Sequence, residues 1–190
     1  MDAPRIRPLE PPYDEELATT LRRLMGGVDA EPLALFRTIA HHPQLLERFR
    51  SMGTLLLNYG DVAPRERELV ILRTTARCEA WYEWSVHVEV FAAQVGLDDA
   101  AVHATTVVPL TPEGLSVEDR LILELSDALH DSAAVPDRIW TALAASHSPA
   151  QLLELLALAG QYRGVSYYVN AIGIEPEPWA PVPAVARVAP

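Results

Sequence analysis

The stretch that decides the fold runs over residues 66–96 and reads ERELVILRTTARCEAWYEWSVHVEVFAAQVG. Its apolar positions recur with the helical period of about 3.6 residues, and Pro64 just before it suits the first position of a helix. The pattern predicts one helix over about 64–77 and a second over about 79–95, closed by Gly96. Because short links join antiparallel neighbours, the two helices are predicted to form a hairpin.

Three titratable side chains are predicted to meet in this hairpin. Positions 68 and 87 are equally distant from the link, so Glu68 is expected to lie opposite His87. Glu83 precedes His87 by four residues, which places both on one helix face. A histidine can take or give a proton near neutral pH, and carboxylates beside it set its tautomer and charge. Glu68, Glu83 and His87 are therefore the candidate acid–base groups.

A plain structural interpretation of the same residues stays open. Glu83 and His87 can form an ordinary surface pair. Glu68 can be one of several carboxylates near a helix start, where the helix dipole favours negative charge. A metal site is not predicted, because only one histidine is well placed and zinc prefers several nitrogen or sulfur ligands. His41 and His42 are distant in sequence and suit a helix boundary.

The helical period recurs along the rest of the chain, and no alternating strand pattern is found. Helix starts are indicated by Ser116 with Asp119, which resembles a capping box, and by Ser148 before Pro149. The further predicted helices cover about 13–25, 31–40, 42–59, 116–130, a segment that Pro136 opens, and 148–172. The sequence thus predicts an all-α bundle built around the hairpin.

Both ends of the chain are rich in proline, which removes a backbone donor and stops helices. The prolines predict extended arms over residues 1–12 and 176–190, on either side of one helical domain over residues 13–175. Each arm is either a disordered tail or a segment that lies on a neighbouring subunit. Trp179 favours the second, because an aromatic side chain gains by being covered.

Composition excludes several classes of protein. The chain has 26 acidic and 15 basic residues, a net charge of -11, and no basic cluster. Neither a nucleic acid nor an anionic membrane is therefore expected as a partner. The N-terminus has no signal-peptide core, and no apolar run is long enough to cross a bilayer. The single cysteine, Cys78, cannot form an intramolecular disulfide, which fits a reducing compartment, so we expect a cytoplasmic protein.

Residues 65–69 (REREL) and 82–87 (YEWSVH) resemble the central helix pair of the carboxymuconolactone decarboxylase family, which includes the alkylhydroperoxidase-D (AhpD) proteins. The similarity in general layout covers about residues 40–175, and only this segment is specific. The resemblance implies the AhpD-like helical fold. In the peroxidase branch the active site is a glutamate, a C-x-x-C pair and a downstream histidine. The glutamate matches Glu68 here, and the histidine matches His87.

The cysteine pair of the peroxidase branch is missing from this chain. By the same match its two positions fall on Ala80 and Glu83, and the lone Cys78 coincides with neither. A C-x-x-C pair supplies a peroxidatic and a resolving thiol, whose disulfide closes the cycle, so thiol-dependent peroxidase activity is not expected. The run Tyr-Glu-Trp followed by His87 resembles instead the decarboxylase-type branch, which acts without a cofactor on small organic acids and lactones.

The resemblance implies a cofactor-free lyase or isomerase that acts on a small carbonyl acid or lactone. In this hypothesis His87 is the general acid–base, Glu68 orients it, and Glu83 is a second proton carrier or a substrate contact. Two alternatives stay open. One is a non-catalytic binding or assembly member of the family, and the other is a residual thiol peroxidase that uses Cys78.

Further side chains are candidates for substrate contacts around this site. Arg73 can clamp a substrate carboxylate or simply pair with Glu68. Three polar residues of the last helix share one face and can close the pocket from the opposite side. The full candidate set is Tyr82, Trp84, Arg73, Arg163, Tyr167 and Asn170.

The expected partners are a small-molecule substrate and further copies of this chain. The resemblance implies a homo-oligomer, a dimer, trimer or hexamer, with active sites close to the subunit contacts. It implies no cofactor, and the sequence offers no metal-ligand pattern.

Overall fold

The computed structural model describes residues 3–27, 30–111 and 115–183, and within these ranges it contains nine α-helices and no strand. They are α1 (Glu15–Leu24), α2 (Ala34–Ile39), α3 (Pro43–Asn58), α4 (Pro64–Arg77), α5 (Trp81–His87), α6 (Asp99–Ala104), α7 (Val117–Ser132), α8 (Asp137–Ala144) and α9 (Pro149–Ile172). The prediction of an all-α fold is confirmed. No helix in the described part of the chain is long and apolar enough to cross a membrane.

Helix α4 is the centre of the bundle. Every residue of α4 from Glu68 to Ala76 is buried, and α5, α7 and α9 pack around it. A helix that is covered on all sides must satisfy each polar side chain it carries, because an unpaired polar group in the core is costly. Its two charged residues in this span, Glu68 and Arg73, therefore depend on partners from neighbouring helices.

The link between α4 and α5 reverses the chain within three residues. Cys78 ends α4, and Glu79 then takes a positive φ of 54°, a left-handed conformation that lets the chain turn back at once. The second helix of the hairpin consequently begins at Trp81 rather than at the predicted residue 79. It continues past His87 as a π-helical turn over Val88–Ala92 and a tight 3-10 turn over Ala93–Val95.

Side-chain caps set the bounds of several helices. At α9 the Ser148 hydroxyl accepts from the Gln151 N–H while the Gln151 side chain accepts from the Ser148 N–H, a complete capping box. At α7 the Ser116 hydroxyl accepts from the Asp119 N–H, but the Asp119 carboxylate binds Arg65 instead of returning the bond. The predicted capping box at Ser116 is therefore only half formed.

Helices α1, α2 and α6 depart from the predicted pattern. Asp14 caps α1 through the Leu17 N–H, so this helix begins at Glu15 rather than at residue 13. Helix α2 begins at Ala34, because Pro32 disfavours helical geometry in the residue before it. Helix α6 was not predicted; its six residues are too few to show a period, although Asp98 caps it.

The described parts of both terminal segments lie on helices of their own chain. The Arg5 N–H donates to the Ile172 carbonyl at 2.8 Å, which ties the N-terminal segment to the end of α9. The Glu177 carboxylate accepts from the Tyr82 hydroxyl at 2.6 Å, which ties the C-terminal segment to α5. These contacts place the described parts of both segments against this chain, and the prediction that an arm lies on a neighbouring subunit stays a prediction. Residues 184–190 of the C-terminal arm lie outside the described part.

Candidate functional site

The hairpin brings Glu68 of α4 against His87 of α5. Glu68 Oε2 lies 2.7 Å from His87 Nδ1, and both side chains are buried. This is the length of a charge-assisted hydrogen bond, in which the histidine Nδ1–H donates to the carboxylate. Such a bond fixes the ring orientation and leaves the other nitrogen, Nε2, for a second partner.

Glu83 supplies that second partner from within α5. Its Oε1 atom lies 3.4 Å from His87 Nε2, as the spacing of four residues allows. Its other oxygen, Oε2, is buried and has no hydrogen-bond partner among the described residues. His87 thus lies between two carboxylates, and one oxygen of this cluster is left to act on something else.

Arg67 completes the charge balance of the cluster. Its Nε donates to Glu68 Oε1 at 2.9 Å, and one terminal nitrogen donates to the Leu57 carbonyl at 2.8 Å. With His87 protonated, two cations and the carboxylates of Glu68 and Glu83 sum to zero charge. A neutral set of paired ions is what a buried position requires.

Two aromatic rings flank the His87 imidazole. The Phe91 ring centroid lies 5.1 Å away, and the Tyr162 ring of α9 meets the imidazole edge to face at 5.0 Å. Phe91 stands in the π-helical turn that follows His87, a rare conformation that recurs at functional sites. The rings keep water away from the imidazole, which strengthens its interactions with both carboxylates.

The surroundings shift two pKa values in opposite directions. Burial disfavours the charged imidazolium, but the Glu68 and Glu83 carboxylates outweigh burial and raise the pKa of His87 to about 9. Burial likewise disfavours the Glu68 carboxylate, but His87 and Arg67 outweigh it and hold the pKa of Glu68 below its ordinary value. At neutral pH the pair is therefore a carboxylate and an imidazolium.

The free energy of unfolding is expected to fall as the pH rises from about 6.5 to about 9. His87 titrates at its ordinary value in the unfolded chain and at about 9 in the folded protein. Because the folded state holds the proton more tightly, this contribution is complete below the unfolded pKa and is lost as the pH rises through the folded one. A tenfold change in proton affinity equals about 1.4 kcal/mol, which bounds the loss at roughly 3 kcal/mol.

Urea unfolding at about pH 6 and about pH 9.5 measures this loss. A His103→Gln variant is the control. His103 is exposed, so its replacement should leave the loss of unfolding free energy between the two pH values unchanged. Equal stability at both pH values in the wild-type protein would contradict the assignment of His87.

Tyr82 and Trp84 occupy structural positions rather than the edge of this cluster. The Tyr82 hydroxyl donates to Glu177 and accepts from the Leu35 N–H at 3.3 Å. The Trp84 indole N–H donates to the Thr105 hydroxyl at 3.0 Å. Because these polar atoms already have hydrogen-bond partners, their positions do not support the expected substrate contacts.

Arg73 does not pair with Glu68 and cannot reach a substrate. Its side chain is fully buried, and Nε and one terminal nitrogen donate to Asp127 at 2.7 Å each. The other terminal nitrogen donates to the carbonyls of Thr105 and Val107. The expectation of a substrate clamp is therefore corrected: Arg73 connects α4 to α7 and to the chain after α6.

Arg163, Tyr167 and Asn170 share one face of α9, but they line a different cavity. Arg163 Nε donates to the Tyr167 hydroxyl at 3.0 Å, and the Asn170 side-chain amide donates to the Cys78 carbonyl at 2.7 Å. This cavity lies beside the link between α4 and α5 and also includes His130. The expectation that these residues close the His87 site is corrected accordingly.

The site contains three side chains that sequence reasoning missed. Arg67 is adjacent to Glu68 in sequence, and neighbouring residues on a helix do not face each other, so no spacing rule finds this pair. Tyr162 comes from α9 and carries no local signal. Phe91 lies four residues after His87, but an aromatic residue at that spacing is typical of any core-facing helix stripe.

No arrangement of three or more His, Cys, Asp or Glu side chains suited to a metal ion occurs in the described ranges.

The cluster of Glu68, Glu83 and His87 places one carboxylate on each side of a single imidazole. Its geometry suits proton transfer, because each ring nitrogen faces a carboxylate oxygen.

Comparison with known proteins gives likenesses in structure alone. No family model matches the chain, and no curated protein matches it in sequence. An uncharacterised peroxidase-related protein from Silicibacter sp. TM1040 superposes with a TM-score of 0.79, at 13% identity over 95% of this chain and 96% of that one. A peroxidase-related protein from Ralstonia eutropha JMP134, described as an alkylhydroperoxidase AhpD core, gives 0.73 at 17% identity, covering 91% and 93% of the two chains.

The debrominase Bmp8 in its apo form is also similar, with a TM-score of 0.74 and 16% identity over 92% of this chain and 93% of that chain. A cysteine-to-alanine variant of Bmp8 has been solved in complex with 2,3,4-tribromopyrrole. At these identities the likenesses establish the fold, and the expected resemblance in architecture is confirmed.

Proposed function

Since the chain has the AhpD-like helical fold and buries a Glu–His–Glu cluster in its central hairpin, we propose that it is a cofactor-free acid–base enzyme. Its substrate is a small carbonyl acid or lactone, and its reaction is a decarboxylation, another lyase reaction or an isomerisation. One observation carries the proposal: Glu83 Oε2 is buried and has no partner in the part of the chain that the structure describes, while Oε1 lies beside His87. An oxygen in that position can receive a proton from a substrate carbon or return one to it.

The three side chains divide the work of proton transfer. Glu68 is a positioning residue, which holds the imidazole through Nδ1 and favours its cationic form. Glu83 meets the substrate and exchanges a proton with it. His87 stabilises the Glu83 carboxylate through Nε2 and can supply a proton in its turn.

A decarboxylation by this cluster consumes one proton per turnover, which the solvent returns to the acid, and it needs no other reagent. The bond between the carboxylate carbon and its neighbour breaks, carbon dioxide leaves, and the electron pair moves into the adjacent carbonyl to form an enolate. A proton from Glu83 or His87 then adds to the carbon. In an isomerisation the same groups remove a proton from one carbon and return it to another.

The decisive assay measures both reactions with the wild-type protein. γ-Carboxymuconolactone and a set of β-keto acids and lactones are incubated in D₂O, and carbon dioxide release and deuterium incorporation next to the carbonyl are followed by NMR. We expect at least one substrate class to react faster than with heat-denatured protein. Absence of both signals across the whole set would contradict the proposal.

Burial of the cluster favours the non-catalytic alternative. The side chains of Glu68, Glu83 and His87 are 0%, 9% and 4% exposed, and the cavities between α4, α7 and α9 are lined by other residues. A binding or assembly module would show neither carbon dioxide release nor deuterium incorporation in the same assay. An enzyme, by contrast, gives at least one of these signals and loses it in a Glu83→Gln variant.

Cys78 supports the thiol peroxidase alternative through one contact. Its Sγ atom lies 3.8 Å from His130 Nδ1, an arrangement in which the histidine can accept the thiol proton. Attack on a hydroperoxide would give a sulfenic acid and an alcohol, and an added thiol reductant would restore Cys78. This alternative requires hydroperoxide consumption that disappears in a Cys78→Ser variant.

Self-association is part of the same proposal. Met52, Leu55 and Tyr59 follow one face of α3 and are 42%, 53% and 76% exposed. A second copy of the chain that covers this row would remove its apolar surface from water. A monomeric mass by light scattering at micromolar concentration would contradict an oligomer.

A further inference from the structure

Two adjoining cavities lie between α4, α7 and α9, away from the Glu68–His87 pair. The inner cavity has a volume of about 200 Å³, and the outer cavity, beside the link between α4 and α5, has about 590 Å³. His130 and Arg163 line both, so the two cavities form one site with two chambers. We call it the α9 site.

The walls of the inner chamber are mostly apolar, apart from the hydroxyls of Thr74 and Ser126 and the side chains of His130 and Arg163. Leu129 of α7 and Leu156 and Ala159 of α9 form its walls, and Thr74 of α4 adds a hydroxyl. Thr74 is 4% exposed, and its Oγ1 has no hydrogen-bond partner among the described residues. The neighbouring Thr75, by contrast, donates to a carbonyl of the preceding turn.

An unpartnered buried hydroxyl is costly, so native proteins almost always satisfy such groups. Thr74, whose Oγ1 is buried, is among the residues that line this chamber, and the chamber's volume is about that of seven molecules of liquid water. A bound molecule with a hydrogen-bonding group at one end would satisfy this hydroxyl and fill the chamber. Thr74 therefore indicates a ligand independently of the residues in the outer chamber.

The outer chamber is lined by the charged side chains of Arg77, Arg163 and Glu79. Arg163 donates to the Tyr167 hydroxyl and to the His130 carbonyl, and no carboxylate pairs with it in the described part of the chain. Arg77 differs, because Asp127 and Asp131 neutralise it. A guanidinium with neutral partners and an open cavity in front of it suits a carboxylate ligand.

The His130 imidazole adds no positive charge to the outer chamber. Burial lowers the pKa of His130, and the nearby guanidinium groups of Arg77 and Arg163 lower it further, while Asp127 and Asp131 partly oppose them. The imidazole is therefore neutral at physiological pH, and Arg163 provides the positive charge of the outer chamber.

We propose that the α9 site binds a small organic monocarboxylate that carries a hydroxyl or carbonyl oxygen at its far end. The carboxylate lies at Arg163 in the outer chamber, next to the Cys78 thiol. The apolar chain enters the inner chamber, and the distal oxygen forms a hydrogen bond with Thr74. This site is separate from the Glu68–His87 cluster, and the inference does not rest on the proposed acid–base reaction.

Three probes of equal chain length test each part of the recognition. 6-Hydroxyhexanoate carries both polar ends, hexanoate lacks the hydroxyl, and hexane-1,6-diol lacks the charge. We expect 6-hydroxyhexanoate to bind most tightly by NMR titration or calorimetry, with the diol about tenfold or more weaker, because a charge-assisted hydrogen bond is lost. Equal affinities for the acid and the diol, or no binding of any probe at millimolar concentration, would overturn the proposal.

Matched variants assign the binding to named side chains. Arg163→Gln is expected to weaken both carboxylates about tenfold, whereas Arg138→Gln, at an exposed arginine, leaves them unchanged. Thr74→Val keeps the shape of the side chain and should weaken 6-hydroxyhexanoate but not hexanoate. Equal effects of Arg163→Gln and Arg138→Gln, or of Thr74→Val on both acids, would contradict the assignment.

Filling the inner chamber provides a test that keeps every polar group. Gly160 lines this chamber, and a Cβ atom added there meets no other atom within 4 Å. Gly160→Leu should therefore fold and should abolish binding of all three probes. Retention of wild-type affinity in a folded Gly160→Leu variant would exclude the inner chamber as the site.

Cys78 is the sole cysteine of the chain and reports on occupancy of the outer chamber. Hexanoate is expected to slow its alkylation by iodoacetamide several-fold. The rate with anionic iodoacetate, relative to iodoacetamide, should fall in Arg163→Gln. A folded Glu83→Gln variant should retain all of this binding, which separates failure of the α9 site from failure of the proposed acid–base function.

Discussion

A Glu83→Gln variant is expected to lose about 10²- to 10⁴-fold in turnover of the carbonyl substrate while retaining its fold. The amide oxygen can still accept from His87 Nε2, so the contact at 3.4 Å survives the change. The amide nitrogen then takes the place of Oε2, the buried oxygen without a partner. An amide can neither take nor return a proton at this position, so proton transfer stops while the structure remains.

The measurement compares kcat and kcat/KM of Glu83→Gln with those of Glu89→Gln. Glu89 stands in the turn after His87 and is exposed, so it controls for the loss of one carboxylate from this region. A spectroscopic melting curve establishes that both variants are folded. Turnover of Glu83→Gln within tenfold of the Glu89→Gln value would exclude Glu83 as the proton carrier.

A Glu68→Gln variant tests the separate role of a positioning residue. Glu68 raises the pKa of His87, so its replacement should move the alkaline limit of the pH–rate profile to lower pH. A purely structural role would lower activity equally at every pH. His87→Asn removes the imidazole itself, so the fall in rate at alkaline pH should disappear from the pH–rate profile.

An Arg73→Met variant is expected to lose about 3–5 kcal/mol in the free energy of unfolding. Arg73 is fully buried, and its guanidinium satisfies the Asp127 carboxylate and the carbonyls of Thr105 and Val107. Methionine fills much of the same volume but donates no hydrogen bond. Both carbonyls would then lose their donor, and the Asp127 carboxylate would retain only Arg77, at 3.3 Å.

Urea unfolding of Arg73→Met is compared with that of Arg120→Gln. Arg120 pairs with Glu124 on the surface and is about half exposed, so its loss should cost less than about 1 kcal/mol. If Arg73→Met does not fold, Asp127→Asn retains the shape of the acceptor and still allows a measured loss. A cost for Arg73→Met no greater than that for Arg120→Gln would contradict its role as a buried connector.

The central hairpin could be predicted because its signals are local. Helical periodicity, Pro64 and Gly96 give the bounds of the two helices, and the short link requires them to run antiparallel. Equal distance from that link then predicts that Glu68 and His87 are opposite each other. The observed distance of 2.7 Å between their side-chain atoms reflects this register.

Features that depend on distant chain segments escaped sequence reasoning. Arg73 lies one turn after Glu68, yet its partner is Asp127, 54 residues away. The last helix was predicted correctly from Ser148 onward, but the cavity that its polar face lines depends on how α9 packs against α4 and α7. Tyr162 reaches His87 for the same reason.

The sequence by itself determined most of the helices, the hairpin and the composition of its candidate acid–base cluster, because these follow from spacing within about twenty residues. Only the tertiary structure decided which polar groups are buried and paired. Within residues 3–27, 30–111 and 115–183 it left Glu83 Oε2 and Thr74 Oγ1 without partners, and it assigned Arg73 to Asp127 and Arg163 to a separate cavity. Burial and pairing are properties of the packed helices together, and no spacing along one helix specifies them.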